Sequence, residues 1–346
     1  MNKQIIYVLL IFHLTLMPFL VAQNSIDSVA TESVSPLFKE QSILPLKLSY
    51  SNKELKKNTN DSTYIKTKLS YEDVNKQWKE LKIEIRARGK SRREICYYVP
   101  VKIKIKKSKS EGTLFEGNKK LKLVVPCSTA KDNNDNVIKE YIAYKLYEVI
   151  SPYHFKTRLV DISLSEIRGK KVREHQIKGI LIEDDKRVAK RHNGKITERA
   201  INPLAQEDIV CVQNAFFQYM IGNVDFSIRE QHNAKLLYVD KIIYPLAYDF
   251  DISGLVNPSY GTPPLGMKSM TERKFRGVER NMGVMNQVRQ EYIEKENLIL
   301  SIVKSFENEF ENESEYEKAI AYISDFFKII SNEQKYKNDI VEQMRN

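Results

Sequence analysis

Two different apolar periodicities divide the chain into a strand-rich first half and a helix-rich second half. One helix is predicted inside the first half, because Ile138, Ile142, Leu146 and Val149 recur at helical spacing before Pro152. Short strands joined by turns favour an antiparallel sheet over βαβ units. Period-two alternation predicts these strands within residues 82–89, 97–107, 120–126, 155–166 and 170–184.

The second half shows apolar residues at intervals of three and four. Ile209, Val212, Phe216 and Met220 predict a core helix that runs directly into the sequence GNVD. A Pro- and Gly-rich loop follows at 255–267, and residues 280–346 predict two or three amphipathic helices. Weak periodicity over 23–70 indicates a linker or mobile arm, with a strand at 45–50 as the alternative.

The first residues have the pattern of a targeting sequence. A basic start, a long apolar run and a small residue at Ala22 predict a secretory signal peptide over 1–22, so the protein is expected to be exported, either periplasmic or secreted. The apolar run approaches the roughly 18–20 residues of a membrane span, so an uncleaved anchor is the alternative. Since no other apolar run has that length, no membrane span is expected in the mature chain.

Composition places the main body among globular proteins. The 346 residues are 42% hydrophobic and 29% charged, with a formal net charge of +11. Such a charge is compatible with phosphate ligands, nucleic acid or anionic surfaces. The Lys-rich run 102–109 alternates as a strand, which favours a solvated sheet face over nucleic acid binding.

Three cysteines, Cys96, Cys127 and Cys211, leave at least one thiol free or paired outside the chain. Each lies among apolar neighbours, so we interpret them as buried small side chains. The sequence has no C-x-x-C pair and no zinc-ligand spacing.

The stretch from Tyr219 to Gly254 concentrates the candidate chemistry. It carries Asp225, Asn233, Asp249 and Asp251 on two turns that flank an apolar strand. Carboxylate and amide oxygens are the ligands that a nucleotide-bound Mg²⁺ requires. Upstream, Lys122 on a predicted strand and Glu140 on the first helix fit a phosphate-binding lysine and its carboxylate partner, with Lys120 as the rival lysine.

These motifs resemble the core of the spore-coat CotH-type kinases and, more distantly, the HipA-type kinases. The resemblance rests on GNVD, HN and YPLAYDFDISG, and it extends upstream to RARGKS at 86–91, KKLKLVVP at 119–126, IKEYIAYKLYEVI at 138–150 and KGILIEDD at 178–185. It implies an α+β, two-lobed atypical protein-kinase-like fold over 71–346. An antiparallel sheet with one helix would form the N-lobe at about 71–184, and helices would form the C-lobe at 185–346.

The resemblance also implies roles for particular residues. The catalytic set is Asp225, the catalytic-loop carboxylate, with Lys122 on the ATP phosphates and Glu140 paired to that lysine. Asn233, Asp249 and Asp251 would hold the metal. The remaining nucleotide contacts are implied for Arg88, Gly89 and Ser91 in a phosphate-covering loop and for Glu183 near the adenine. Asp225 and Asn233 are eight residues apart, whereas kinase loops place this pair about five apart.

The sequence therefore predicts an exported CotH-like kinase that uses ATP and Mg²⁺ (or Mn²⁺). Its expected substrate is a protein of the envelope or outside the cell, phosphorylated on Ser or Thr hydroxyls. The alternative is a catalytically inactive binding or scaffold protein of the cell envelope that keeps the same fold.

Overall fold

A barrel of β-strands forms the first half of the chain. We describe the protein from a computed structural model, over residues 33–89, 91–130 and 133–345. Across these residues seven strands close into a barrel in the order β1-β2-β3-β4-β5-β7-β6. The strands are β1 Leu44–Tyr50, β2 Ile65–Glu72, β3 Trp78–Ala87, β4 Val101–Lys104, β5 Lys120–Val124, β6 Thr157–Arg168 and β7 Lys171–Glu183.

The barrel closes through its first and sixth strands. β1 pairs in parallel with β6, from Leu44 opposite Val160 to Tyr50 opposite Glu166, while every other pair in this sheet is antiparallel. Alternation along each strand turns one set of side chains inward. That inner set is apolar and buried, and includes Leu46, Leu69, Ile83, Ile103, Leu121, Leu164 and Leu181.

The predicted two-lobed kinase-like fold is wrong. The protein has a closed seven-stranded barrel, a separate three-stranded sheet and a helical C-terminal region. The physical reason lies in residues 44–72, because β1 and β2 supply the strands that close the sheet. The described part of the predicted 23–70 arm, from residue 33 onward, is therefore folded, and the alternative of a strand at 45–50 is confirmed. The predicted signal peptide lies outside the described residues.

Eleven α-helices lie in the described part of the chain. The helix predicted before Pro152 is confirmed as α5, and the one predicted before GNVD is confirmed as α7. The helices are α1 Pro36–Lys39, α2 Asn52–Asn58, α3 Ser91–Ile95, α4 Lys107–Ser110, α5 Asn133–Ile150, α6 Asp185–Arg191, α7 Asp208–Met220, α8 Met282–Glu294, α9 Glu296–Lys304, α10 Glu313–Ile330 and α11 Glu333–Asp339, with 3₁₀ turns at Pro203–Ala205, Glu307–Glu309 and Val341–Gln343.

The C-terminal region contains four helices, α8 to α11, rather than the two or three predicted. Asparagine caps create the boundaries, since Asn281, Asn312 and Asn332 each accept a hydrogen bond from the first turn of the following helix. The apolar faces of α8 to α11 join α5 and α7 in one core. That core also covers Ile180 and Ile182 on the outer face of β7.

A small second sheet contains β8 Lys195–Thr197, β9 Ala234–Val239 and β10 Ile242–Ala247, in the order β10-β9-β8. β9 and β10 form a hairpin with a two-residue turn, Asp240–Lys241, at φ 48° and 68°. Positive φ at both central residues is the type I′ requirement, which matches the twist of the two strands. The turn therefore sets the register down to the last pair, Ala234 opposite Ala247.

Two of the three cysteines form a disulfide, Cys96–Cys127, and Cys211 is buried and free. The interpretation of all three as buried small side chains is confirmed, but the bond between Cys96 and Cys127 was not predicted. Spacing along the sequence could not pair them, because the pairing depends on the barrel. The bond joins the segment after β3 to the segment after β5.

Replacing Cys96 and Cys127 together by serine is expected to lower the free energy of unfolding by about 3 kcal/mol. A crosslink over a sequence separation of 31 residues restricts the unfolded chain, and its loss releases that restriction. Urea unfolding of oxidised protein and of the double variant measures the effect. Cys211→Ser is the control for thiol removal alone, and equal midpoints for the double variant and the wild type would contradict the prediction.

Candidate functional site

The open end of the β9–β10 hairpin brings two predicted metal ligands together. Asn233 directly precedes β9, and Asp249 lies two residues beyond β10. The backbone N–H of Tyr248 donates to the carbonyl of Asn233 at 3.2 Å, which continues the pairing past the last ladder residues. Asn233 and Asp249 both have positive φ, 47° and 67°, a conformation that Asn and Asp tolerate better than most residues.

The eight-residue spacing between Asp225 and Asn233 is bridged by a local turn. Ser227 and His232 exchange two backbone hydrogen bonds, so the intervening residues loop outward. The amide of Asn233 then donates to the carboxylate of Asp225 at 3.0 Å and to its carbonyl at 2.7 Å. His232 Nε2 lies 2.8 Å from the other carboxylate oxygen of Asp225. The structure thus brings Asp225 and Asn233 into direct contact.

Phe250 anchors the acidic loop that follows β10. Its ring is fully buried, with ring centroids 4.7 Å from Tyr144 and 5.2 Å from Phe217. The N–H of Asp249 also donates to the hydroxyl of Tyr144 at 2.9 Å. These contacts to α5 and α7 fix the backbone on which Asp249 and Asp251 are carried.

Two glycines allow the acidic loop to approach the GNVD turn. The N–H of Gly254 donates to the carbonyl of Gly222 at 3.0 Å, and the hydroxyl of Tyr322 lies against both residues. An added Cβ would come within 2.0 Å of that hydroxyl at Gly222 and 2.2 Å at Gly254. Larger residues at these positions would therefore push the loops carrying Asp225 and Asp251 apart.

Arginines from the segment after β3 pair with both aspartates. Arg92 Nη1 lies 3.3 Å from Asp251, whose carboxylate also accepts from the hydroxyl of Tyr260 at 3.1 Å. Arg88 Nη2 lies 3.6 Å from Asp249. Burial raises the pKa of Asp251, and the Arg92 guanidinium opposes that rise. Within the described residues, no group of three or more His, Cys, Asp or Glu side chains is arranged to hold a metal ion.

Glu140 is buried beside this cluster but does not make the predicted pair with Lys122. No ion pair joins the two residues in the described part of the chain, and the Oε1 atom of Glu140 has no hydrogen-bond partner there. Burial raises the pKa of Glu140 well above its ordinary value, and the negative charges of Asp251 and Asp249 add to this rise. The nearby Arg92 acts in the opposite direction. Helix α5 therefore presents Glu140 to Arg92 and Asp251 rather than to β5.

Lys122, rather than its rival Lys120, faces the acidic loop. Its Nζ atom lies 4.1 Å from the ring centroid of Tyr248 and 4.8 Å from that of Phe155, whereas Lys120 is exposed. Burial lowers the pKa of Lys122 to about 7, and the positive charge of Arg88 contributes to this decrease. The negative charges of Asp185, Asp249 and Asp184 act in the opposite direction and raise the pKa.

Stability is expected to depend on pH through Lys122. The unfolded chain holds this proton up to the ordinary pKa of 10.5, and the folded chain releases it near 7. Between these values the unfolded state binds more protons, so the folded state gains stability as pH rises. The unfolding free energy of the wild type should gain roughly 3–4 kcal/mol relative to Lys122→Met from pH 7 to 10. Urea titrations in EDTA measure this, Lys120→Met is the control, and a pH-independent difference would contradict it.

The residues predicted to cover the phosphates lie at the edge of the site. The N–H of Arg88 donates to the carbonyl of Pro100 at 2.8 Å, which extends the β3–β4 pairing by one residue. Gly89 has φ 79°, and the chain turns there before Ser91 begins the five-residue helix α3. Arg88 is the member of this set that the structure brings to Asp249.

The side chain of Glu183, which was predicted to lie near the adenine, makes hydrogen bonds within the protein. Its carboxylate accepts two hydrogen bonds from Arg191 Nη1, at 2.7 and 2.8 Å, and one from the N–H of Lys156 at 2.6 Å. Burial raises its pKa, and Arg191 opposes the rise. Glu183 thus ties the end of β7 to α6.

Four residues that contact the predicted site residues were not themselves predicted from the sequence. They are Arg92, Tyr260, Tyr144 and His232. Arg92 stands in the basic run RGKSRRE, whose excess of arginine is the signal, but the resemblance assigns roles only to Arg88, Gly89 and Ser91. Tyr260 lies in the Pro/Gly-rich loop, and no periodicity points to it. Four surface cavities of about 470 to 840 Å³ are lined by none of the predicted site residues.

No helix among the described residues is both long and apolar enough to cross a membrane. Searches of protein-family models and of curated proteins find no match to this chain.

Proposed function

We propose that the chain binds ATP with Mg²⁺ (or Mn²⁺) at this site and transfers a phosphoryl group to Ser or Thr hydroxyls of a protein, as the CotH resemblance implies. One observation carries the proposal. Lys122 and Arg88, from the barrel, lie against the loop of Asp249, beside the hydrogen-bonded pair of Asp225 and Asn233. The barrel thus supplies positive side chains that could bind phosphate. The β9–β10 hairpin supplies oxygen atoms that could bind a metal, and both sets lie in one place.

The residues fit such a ligand by charge and by unmet hydrogen bonding. Glu140, Asp249 and Asp251 share one region with Arg88 and Arg92, so both signs of charge are present. Two buried polar atoms there, Oε1 of Glu140 and Nε of Arg92, lack hydrogen-bond partners among the described residues. Buried polar groups without partners are costly, so a bound cation or phosphate would stabilise this cluster.

The roles follow from position. Asn233 and Asp249 would hold the metal, which neutralises the charge of the phosphate oxygens when it is bound. Lys122 and Arg88 would orient the phosphates. Asp225 retains 42% exposure of its side chain and is steadied by Asn233 and His232, so it would orient the substrate hydroxyl and accept its proton.

Asp251 would join the metal only after Arg92 releases it. The Arg92 guanidinium lies 3.3 Å from this carboxylate, and its Nη2 also donates to the carbonyl of Val125 at 2.8 Å. Nucleotide phosphates offer Arg92 an alternative anion, which would free Asp251. In this proposal, ligand binding exchanges protein ion pairs for contacts with phosphate and metal.

Export remains part of the proposal. The predicted signal peptide would direct the chain out of the cytoplasm, and the Cys96–Cys127 disulfide supports this because such bonds persist in oxidising compartments. The protein substrate would then lie in the envelope or outside the cell.

The second candidate function is a binding protein of the envelope without transferase activity. The ion pairs of Arg88 and Arg92 favour it, because they neutralise the two aspartates without any ligand. The missing Lys122–Glu140 pair also favours it, since kinases use such a pair to place the phosphate-binding lysine.

Two measurements test the proposal and separate the candidates. At an ATP–Mg²⁺ concentration of about 100 times Kd, ligand binding should stabilise the fold by about 2.7 kcal/mol, a rise of several degrees in Tm. Incubation with γ-labelled ATP should label the protein itself or an added protein with exposed serines. Stabilisation without labelling would support a nucleotide-binding protein without transfer, and the absence of both effects would overturn the proposed kinase activity and favour a scaffold protein.

A further inference from the structure

A groove of about 470 Å³ lies on the outer face of β2, β3 and β4. One carboxylate, that of Glu84, lines it, whereas the other charged side chains are all lysines. Those lysines are exposed and come from three strands and from the segment that follows β4. They are Lys66, Lys68, Lys82, Lys104, Lys106 and Lys109.

The strand register continues this groove toward the candidate site. Lys66 pairs with Glu84, Glu84 with Lys104, and Lys104 with Lys120. Two residues further along the strands, on the same face, Arg86 pairs with Lys102, and Lys102 pairs with Lys122. Directly paired residues point to the same face of a sheet.

These two rows form a continuous basic band from β2 to β5, and Lys122 stands at its end. Lys122 is also the lysine that lies against Tyr248, next to Asp249. The band therefore runs directly into the site proposed above.

The chain neutralises only part of this band. Glu80 pairs with Lys68 and Glu84 with Lys104, both at 2.9 Å, and Asp61 pairs with Arg86 at 2.8 Å. Lys82 is directly opposite Lys68, and like charges in that arrangement destabilise a sheet. In the described part of the chain, Lys66, Lys82, Lys106 and Lys109 make no ion pair within 4.0 Å.

We propose that this basic band docks an extended acidic segment of the protein substrate and leads it to the phosphoryl-transfer site. The role as a substrate dock rests on the proposed function, whereas binding of an acidic peptide does not. From β2 to β5 the band covers three strand spacings, or roughly 14 Å, which an extended peptide spans with about four or five residues.

No aromatic side chain of the described residues lines the groove, and the contacts of the neighbouring Tyr64 favour a peptide over nucleic acid. The ring of Tyr64 is approached by Lys104 Nζ at 5.3 Å and by the Arg86 guanidinium at 5.7 Å. Binding of single-stranded nucleic acid relies on free ring faces for base stacking. The contacts of this groove are charge contacts with flexible lysines, which suit Asp and Glu side chains.

Fluorescence anisotropy with two labelled peptides tests the proposal. One peptide carries six glutamates and a single serine, and the other has glutamine at all six positions. The full chain should bind the acidic peptide at least ten times more tightly than the neutral one. The triple variant Lys66→Gln, Lys68→Gln, Lys82→Gln should lose at least tenfold in affinity for the acidic peptide and keep the wild-type Tm rise with ATP–Mg²⁺.

The matched control removes three exposed lysines from the C-terminal helices: Lys328→Gln, Lys335→Gln and Lys337→Gln. This variant has the same net charge as the groove variant and should bind the acidic peptide as the wild type does. Equal losses in the two triple variants would overturn the proposal, because net charge alone would then explain binding. Tighter binding of a labelled oligodeoxynucleotide than of the acidic peptide would also overturn it.

The design separates failure of the groove from failure of the proposed function. Groove-dependent peptide binding without any response to ATP–Mg²⁺ would keep the docking surface and reject phosphoryl transfer. A normal response to ATP–Mg²⁺ with no preference for the acidic peptide would reject the docking surface alone.

Discussion

Asp249→Asn is expected to lower the proposed phosphoryl transfer from ATP by at least about 100-fold, because it removes the charge of the carboxylate that we propose as a metal ligand. Asparagine keeps the shape and tolerates the positive φ of 67°, so the fold should survive. The Tm rise produced by ATP–Mg²⁺ should fall with it, whereas Tm without ligand should stay within a few degrees of the wild type. Labelled-ATP transfer and thermal unfolding measure both effects.

The same hairpin provides a matched control for this variant. Asp240 lies in the turn at the other end of β9 and β10, also with positive φ, 48°. Asp240→Asn therefore repeats the chemical change and the backbone conformation at a distance from the site. It should leave transfer and the ligand-induced Tm rise unchanged. If Asp249→Asn behaves like Asp240→Asn, Asp249 is not a metal ligand and the proposed site is wrong.

Local sequence patterns predicted most individual helices and strands, but they did not predict that the strands close into a barrel. Helices α5 and α7 follow from apolar residues at helical spacing, and β3 to β7 follow from alternation. Whether a sheet stays open or closes is decided by pairs far apart in sequence, such as β1 with β6. The strand at 45–50 was one alternative for a polar, Ser- and Lys-rich stretch, and nothing local shows that it pairs with residues 160–166.

Within the candidate site, residues brought together by one hairpin could be predicted from sequence. Asn233 and Asp249 meet because β9 and β10 pair, and a local turn spans the gap from Asp225. Pairings across different elements could not be predicted. Glu140 faces Arg92 and Asp251 instead of Lys122 because the packing angle of α5 on the barrel decides its neighbours, and sequence spacing carries no information on that angle.

The disulfide connects the barrel to the electrostatics of the site. Residues 88–96 carry both Arg88 and Arg92, and Cys96 ends this segment in its bond to Cys127. The N–H of Tyr97 also donates to the carbonyl of Cys127 at 2.7 Å. The arginine segment is therefore tied to the chain that leaves β5, the strand of Lys122. Loss of the bond should affect the position of Arg92 relative to Asp251 as well as global stability.

Phe250→Ala is expected to lower the free energy of unfolding by about 4 kcal/mol, a fall of about 6 °C in Tm. The ring is fully buried between Tyr144 on α5 and Phe217 on α7, and these neighbours cannot close the space that it leaves. The backbone between Asp249 and Asp251 would lose its anchor. ATP–Mg²⁺ should therefore stabilise the variant less than the wild type, in addition to the lower starting stability.

Urea unfolding and thermal unfolding with and without ATP–Mg²⁺ measure these two effects. Phe250→Leu refills most of the volume and should lose less than about 2 kcal/mol. Phe310→Ala removes a partly buried ring at the margin of the same core, where it packs against Tyr316, and should cost clearly less than Phe250→Ala. A loss below about 1 kcal/mol for Phe250→Ala would show that this ring does not anchor the acidic loop. The joint placement of Asp249 and Asp251 would then need another cause, because no other side chain between them can provide it.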